Sequence, residues 1–230
     1  VDDDIYRDSR AVLIKDEAWQ EYNVWVSTDS RKKYVLRPWY KINKGDGIDN
    51  IYRDDQIEYG IDLTLKPTNN INFSINSSFE NRTGFMQWVD IVENSNGKFE
   101  DSDGRYDIIY AKTNREQINT RLRMNIAFNP KMTFEAFYQP FNVDMDYEDY
   151  YRLNEKETFR TSSFNYTANE SFQIQNQRGT FVYRWEFRPG SLLYLVYNLN
   201  DNNYFSSQDN EWSQSKSNSL FVKFDYFLQP

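Results

Sequence analysis

From Ile57 the chain alternates apolar and polar residues with a period of two. Ile57, Tyr59, Ile61, Leu63 and Leu65 fall on one side, and Glu58, Asp62, Thr64 and Lys66 on the other. After Pro67-Thr68-Asn69-Asn70 the pattern resumes, with Ile71, Phe73, Ile75 and Phe79 set against Asn72, Ser74, Asn76, Ser78 and Glu80. In a strand successive side chains point to opposite faces, so this pattern makes a sheet with one apolar and one polar face; a helix would need a 3.6-residue period. The Pro/Thr/Asn stretch between the two runs has turn composition, so together they predict a long hairpin.

The unit recurs. Residues 117–128 set Ile118, Leu122, Met124, Ile126 and Phe128 against Asn119, Arg121, Arg123 and Asn125. Residues 180–188 alternate Phe181, Tyr183, Trp185 and Phe187 with Val182, Arg184, Glu186 and Arg188. The last segment sets Leu220, Val222, Phe224 and Tyr226 against Phe221, Lys223 and Asp225. The pattern predicts ten strands, at 5–15, 19–28, 33–43, 57–66, 71–83, 108–128, 132–141, 176–188, 192–200 and 214–227. Tight connections (28–32, 67–70, 129–131, 189–191) take turns with long polar ones (44–56, 84–105, 142–175, 200–213). In an up-and-down antiparallel sheet alternate connections share an end, so one end carries turns and the other carries loops. Outer-membrane barrels have this asymmetry, and a tilted strand needs about 9–11 residues to cross the bilayer. The expectation is all-β, an up-and-down antiparallel transmembrane β-barrel, with residues 1–230 as a single domain.

Composition narrows the chemistry. The chain has no cysteine and no histidine, so disulfides, thiolate metal sites and histidine-dependent catalysis fall away. Lys and Arg number 27 against 35 Asp and Glu, a net charge of -8. That balance argues against nucleic acid as a partner, because nucleic-acid affinity comes from neutralising phosphates. Aromatic residues make up 18% of the chain, far from a disordered composition, although mean hydropathy is -0.87. A barrel reconciles the two, since only the lipid-facing half of each strand must be apolar. Aromatics also gather toward strand ends, at Trp39 and Tyr40, Phe85 and Trp88, Phe137, Tyr138 and Phe141, and Tyr194 and Tyr197. No apolar run approaches the length of a transmembrane helix. Residue 1 is Val, which leads us to expect a processed product or a piece of a longer chain. A soluble β-sandwich would alternate as well, and remains the competing architecture.

Four stretches carry a resemblance: 110–141 (YAKTNREQINTRLRMNIAFNPKMTFEAFYQPF), DYEDYYRL at 146–153, FVYRWEFRPGSLLYLVY at 181–197 and SLFVKFDYF at 219–227. Together they resemble Gram-negative outer-membrane proteins that join an N-terminal family-9-like carbohydrate-binding module to a C-terminal β-barrel domain of unknown function. The resemblance covers 50–230 well and the first 50 residues weakly. It implies that this chain is the C-terminal part of a longer protein and of a larger barrel. It also implies a location in the bacterial outer membrane, with outer-membrane lipid, the barrel assembly machinery and other outer-membrane proteins or glycans as partners. It brings no catalytic residues with it.

Three groups of residues are candidates for chemistry. Arg184, Glu186 and Arg188 share the polar side of one strand and could form a charge ladder in a barrel lumen. The segment 142–157 reads as an outer loop in which Asp144, Asp146, Glu148 and Asp149 interleave with Tyr147, Tyr150 and Tyr151. Acid next to tyrosine suits sugar stacking or calcium, and it equally suits a solvated loop. Asp101 and Asp103 begin like a calcium loop but lack its downstream bidentate glutamate. With 8 glycines and no phosphate-binding loop, no cofactor is expected. Two functions fit: a barrel acting as channel, anchor or assembly subunit, or a cell-surface protein that binds or hydrolyses glycans.

Overall fold

The computed structural model describes residues 18–47, 53–155 and 161–228. The described residues form strands, turns and loops, with no helix. The strands are β1 (Trp19–Trp25), β2 (Tyr34–Gly45), β3 (Asp55–Thr68), β4 (Ile71–Glu93), β5 (Phe99–Asp101), β6 (Gly104–Asn129), β7 (Met132–Leu153), β8 (Thr161–Ser163), β9 (Phe172–Arg188), β10 (Ser191–Ser206) and β11 (Glu211–Asp225). They make one sheet of 11 strands in the order β1-β2-β3-β4-β6-β7-β9-β10-β11, with short β5 on β6 and short β8 on β7. All pairs are antiparallel.

The expected meander is therefore present, with three corrections. The sheet is not closed: β1 and β11 are its two edges among the described residues. Nine strands lie on the main path, and the strand expected at 5–15 falls outside the described residues. The long loops at 84–105, 142–175 and 200–213 are much shorter than expected, because β4, β6 and β7 run for 23, 26 and 22 residues. The connection from β10 to β11 shrinks to a turn at 207–210.

The hairpin turns are where turn chemistry puts them. Thr68 pairs with Ile71, Asn129 with Met132 and Arg188 with Ser191, all at one end. Gly190 has φ 76° there, as the Pro-Gly turn demands. At the other end Gly84 (φ 74°) makes a bulge in β4, and a Cβ there would lie 2.5 Å from the Arg53 carbonyl oxygen. Further bulges follow at Trp88/Asp90 and Ala111/Thr113, where the long strands bend.

The register turns the alternation into continuous surfaces. Tyr34, Leu65, Phe73, Met124, Ala136, Phe181, Tyr197 and Leu220 form one unbroken row across eight strands. The apolar band drifts across such rows. The row through Val24, Tyr40, Tyr59, Phe79 and Ile118 continues as Asn142, Gln175, Asn203 and Gln214. On β9 to β11 the apolar residues sit nearer the turns, at Trp185, Phe187, Phe224 and Tyr226. The band moves by roughly nine residues over eight strand-to-strand steps, or ~30 Å along the strands for ~38 Å across them.

This face is open along its whole width: Tyr59 is 49% and Leu220 67% exposed. Buried clusters form instead at the loop end, beyond the apolar band. Phe99, Tyr106, Ile108, Tyr110 and Leu153 pack with Met86, Trp88 and Ile91. Phe85, Val143 and Met145 pack with Phe141, Tyr147, Phe172 and Ile174.

Candidate functional site

Between the turns and this lobe, the polar face is tied together across strands. Asn76 Nδ2 donates to Asp62 Oδ1 at 2.7 Å, and Lys41 Nζ lies 3.2 Å from Glu58. Arg115 pairs with Glu80, which is 7% exposed. Arg82 pairs with Asp54, and its guanidinium lies 4.3 Å from the centroid of the Phe85 ring. The sequence points to a different ladder, along β9. Glu186 instead accepts the Gly190 N–H at 3.1 Å and caps the turn, while Arg188 donates to the Tyr226 hydroxyl. Arg184 stands next to Tyr194 and Thr133 in the register. Neighbours across strands are closer than residues i and i+2 along one strand, so charge pairing runs across the sheet.

The acid and tyrosine run expected as a loop over 142–157 lies on a strand as far as Leu153, where β7 ends, and residues 156 and 157 fall outside the described residues. Val143, Met145 and Tyr147 turn to one face, into the second buried cluster, while Asp144, Asp146 and Glu148 turn to the other and are exposed. Burial, then the charges of Asp146 and Glu116, hold the Asp144 carboxyl above the usual carboxylate range. Gln173 Nε2 donates to Asp144 at 3.2 Å, and Lys112 Nζ lies 3.8 Å from Glu148. Asp149 is exposed, and Tyr151 is half-buried and held above the ordinary phenol range, first by burial and then by the Asp149 charge. The period-2 signal in Val143-Asp144-Met145-Asp146-Tyr147-Glu148 was present in the sequence, with acids in the place of apolar residues.

Tyr150 anchors the 164–171 connection. Its carbonyl accepts the Phe164 N–H at 2.9 Å, its hydroxyl accepts the Glu170 N–H at 3.2 Å, and its ring lies 4.9 Å from that of Tyr166. The Tyr166 hydroxyl is 3.2 Å from Asp90 Oδ2 and 3.4 Å from Glu170 Oε1. Burial, followed by the Asp90 and Glu170 charges, pushes this phenol far above its ordinary value. Asp107, fully buried, holds the 94–98 turn through Asn94 Nδ2 at 2.8 Å and the Lys98 N–H at 2.9 Å, with Arg152 Nη1 at 3.5 Å. None of these partners could be found before the register was known.

Asp101 Oδ1 accepts the N–H groups of Asp103 (2.9 Å) and Gly104 (3.1 Å), so it shapes the two-residue turn between β5 and β6. The Asp103 carboxylate accepts from the Ser102 hydroxyl at 3.3 Å. Among the described residues, no three acidic side chains gather in a way that could hold a metal ion.

The model of one protein family, described as Domain of unknown function (DUF5916), matches residues 2–229. No curated protein matches the chain.

Proposed function

The chain belongs to the family of the domain of unknown function DUF5916, and from its geometry we propose that it forms the lipid-facing wall of an outer-membrane β-barrel. In this reading the polar face lines the lumen and the packed lobe stands outside the cell. The observation that carries the reading is the diagonal course of the apolar band. A membrane is a flat slab, and barrel strands cross it at about 35–45°. The slab must then cut obliquely across the hydrogen-bonded rows, and a drift of ~30 Å along the strands for ~38 Å across them corresponds to a tilt of about 38°. The aromatic residues at the borders of the band agree with this. Tyr22, Tyr40, Tyr59 and Phe79 lie along its loop side on β1 to β4. Trp185, Phe187, Phe224 and Tyr226 lie along its turn side on β9 to β11, with the Phe187 and Phe224 rings 5.1 Å apart. Such girdles are expected at the two bilayer interfaces.

With nine strands on the path, β1 and β11 run in the same direction. Closing the wall with antiparallel pairs throughout takes an odd number of further strands. Lipid supplies no hydrogen bonds, so neither edge can be left facing it. The test is to express the protein in an outer membrane and follow heat-modifiable gel migration, with epitope tags inserted at Asn69 and at Asp209. A folded species that migrates differently before boiling, with the Asp209 tag reachable on intact cells and the Asn69 tag protected, supports the reading. A soluble protein that folds without lipid or detergent rejects it.

A further inference from the structure

The polar face carries an excess of arginine that the fold does not use. Arg121 and Arg178 precede Leu122 and Gly179, which share a row through Tyr138, so the two arginines stand at the same level on β6 and β9. Their Cα atoms are two strand spacings apart, ~10 Å. Arg123 lies two residues along β6 from Arg121, on the same face, its guanidinium 5.3 Å from the Phe137 ring centroid. All three are exposed, and none has an ion-pair partner among the described residues. The nearby acids balance them only in part: Glu135 lines the same groove as Arg123, one carboxylate against three guanidinium groups. Glu58 and Glu80 are taken by Lys41 and Arg115, and Asp62 accepts from Asn76. Beside Arg123 a groove of about 360 Å³ is lined by Asn125, Glu135, Phe137, Thr180 and Val182.

We propose that Arg121, Arg123 and Arg178 form an anion-binding tract on the polar face, for a small solute bearing a phosphate, sulfonate or carboxylate. Guanidinium groups suit such ligands because their planar donors match the acceptor oxygens in pairs. The cation–π contact limits the freedom of Arg123, and the groove offers the apolar surfaces of Phe137 and Val182 beside the amide of Asn125 and the hydroxyl of Thr180. Three cations without an ion-pair partner among the described residues gather at mid-height on the polar face of a chain whose net charge is -8. Rings of arginine or lysine give pores their preference for anions. The binding does not need the barrel to be open; a preference in conduction rests on the barrel reading.

The test uses the full chain folded in detergent and a trisulfonated pyrene fluorophore as the anionic probe. The wild type should bind it saturably, and added salt should weaken the binding. The variant with Arg121→Gln, Arg123→Gln and Arg178→Gln together should lose at least tenfold in affinity. Glu135→Gln, which removes an acid from the groove, should leave affinity unchanged or raise it. Unboiled gel migration of each variant reports folding, and single Arg→Gln variants replace the triple one if it does not fold. Failure of the wild type to bind, or equal binding by folded arginine variants, overturns the proposal. Binding by a protein that does not insert into vesicles leaves the tract standing and removes the barrel. Insertion without binding does the reverse.

Discussion

Arg115 and Glu80, 35 positions apart in the chain, meet on the polar face where β6 passes β4, and Arg115 Nε donates to Glu80 Oε1 at 3.0 Å. The Arg115 guanidinium also faces the Phe85 ring, 5.8 Å from its centroid. The pair closes the lower side of the buried cluster of Phe85, Val143 and Met145.

Removing one partner of such a pair leaves the other charge poorly solvated, and for a fully buried pair that costs about 3–5 kcal/mol. Arg115 keeps 28% of its side chain exposed, so Glu80→Gln should cost less, about 2 kcal/mol. Urea unfolding from detergent or lipid checks this. Arg115→Met added to Glu80→Gln should recover part of the loss, because no unpaired charge then remains.

The apolar and polar faces should differ in tolerance. Leu63 and Ile75 are register partners in the apolar band. Changing either to Arg should weaken insertion by about 2–4 kcal/mol, the cost of a cation at a mid-bilayer site on the lipid face. Changing Asp62 or Asn76, partners on the opposite face, should cost about 1 kcal/mol, the scale of one half-buried hydrogen bond. A folding assay in vesicles in which both classes behaved alike would remove the membrane assignment.

The part of the sheet between the hairpin turns and the packed lobe is legible in the sequence, and the reason is physical. Between Ile57 and Phe79 each side chain has one of two surroundings, so the pattern gives both the strands and their faces. Above Glu80 that rule lapses. There Val143 and Met145 are buried on the side that is polar lower down, and Asp144 and Asp146 are exposed on the side that is apolar lower down. The same alternation then reads as an acidic loop. Paired aromatics misled in a related way, since neighbours must take opposite faces: Tyr138 joins the apolar band while Phe137 lies under Arg123 on the other side. Pairs such as Asp107 with Arg152, or Arg121 level with Arg178, depend on register and have no local signal.

Asp144 gives a pH dependence of known sign. It lies beyond the apolar band, and its carboxyl is held above the ordinary value. The folded state therefore binds the proton more readily than the unfolded chain does. Stability falls as pH rises through the interval between the unfolded and folded values, and the penalty persists at neutral pH. Asp144→Asn should stabilise the protein at pH 7, and the gain should vanish in acid below the unfolded value. It keeps an acceptor for Gln173 and removes the repulsion from Asp146 and Glu116. Parallel thermal melts of the two proteins at pH 3 and pH 7 measure the difference, and an equal shift at both would contradict it.

Tyr166 acts at the alkaline end. Ordinary phenols ionise near pH 10.0, but burial and the Asp90 and Glu170 charges make Tyr166 keep its proton beyond that point. Above pH 10 the folded state thus holds a proton that the unfolded state gives up, and stability falls with each further rise in pH. The connection 164–171 should become open to protease there. Tyr166→Phe should remove most of this alkaline sensitivity while weakening the connection at neutral pH, since it deletes the hydroxyl contact to Asp90. Proteolysis rates from pH 8 to pH 11 decide it, and an unaltered profile in the variant would assign the effect to other groups.

The edge strand β11 completes the set. It pairs with β10 from Glu211 to Asp225, while its other side has no strand among the described residues. Leu220, Val222 and Phe224 are more than half exposed, and the strand is anchored at its end by Phe224 on Phe187 and by the Phe227 N–H on Ser191 Oγ at 3.0 Å. An exposed edge of alternating apolar and aromatic residues is a template for strand addition, the means by which an assembly machine can capture a barrel chain. Deleting the chain from Leu220 onward should lower folded protein in the outer membrane at least tenfold. The deletion also removes part of the wall, so Phe224→Ser with Tyr226→Ser is the sharper probe. It keeps the backbone able to pair and removes the aromatic end. Levels should again fall several-fold, while the purified variant should still refold in detergent. If outer-membrane levels of this variant match the wild type, β11 is an ordinary wall strand and recognition during assembly lies elsewhere.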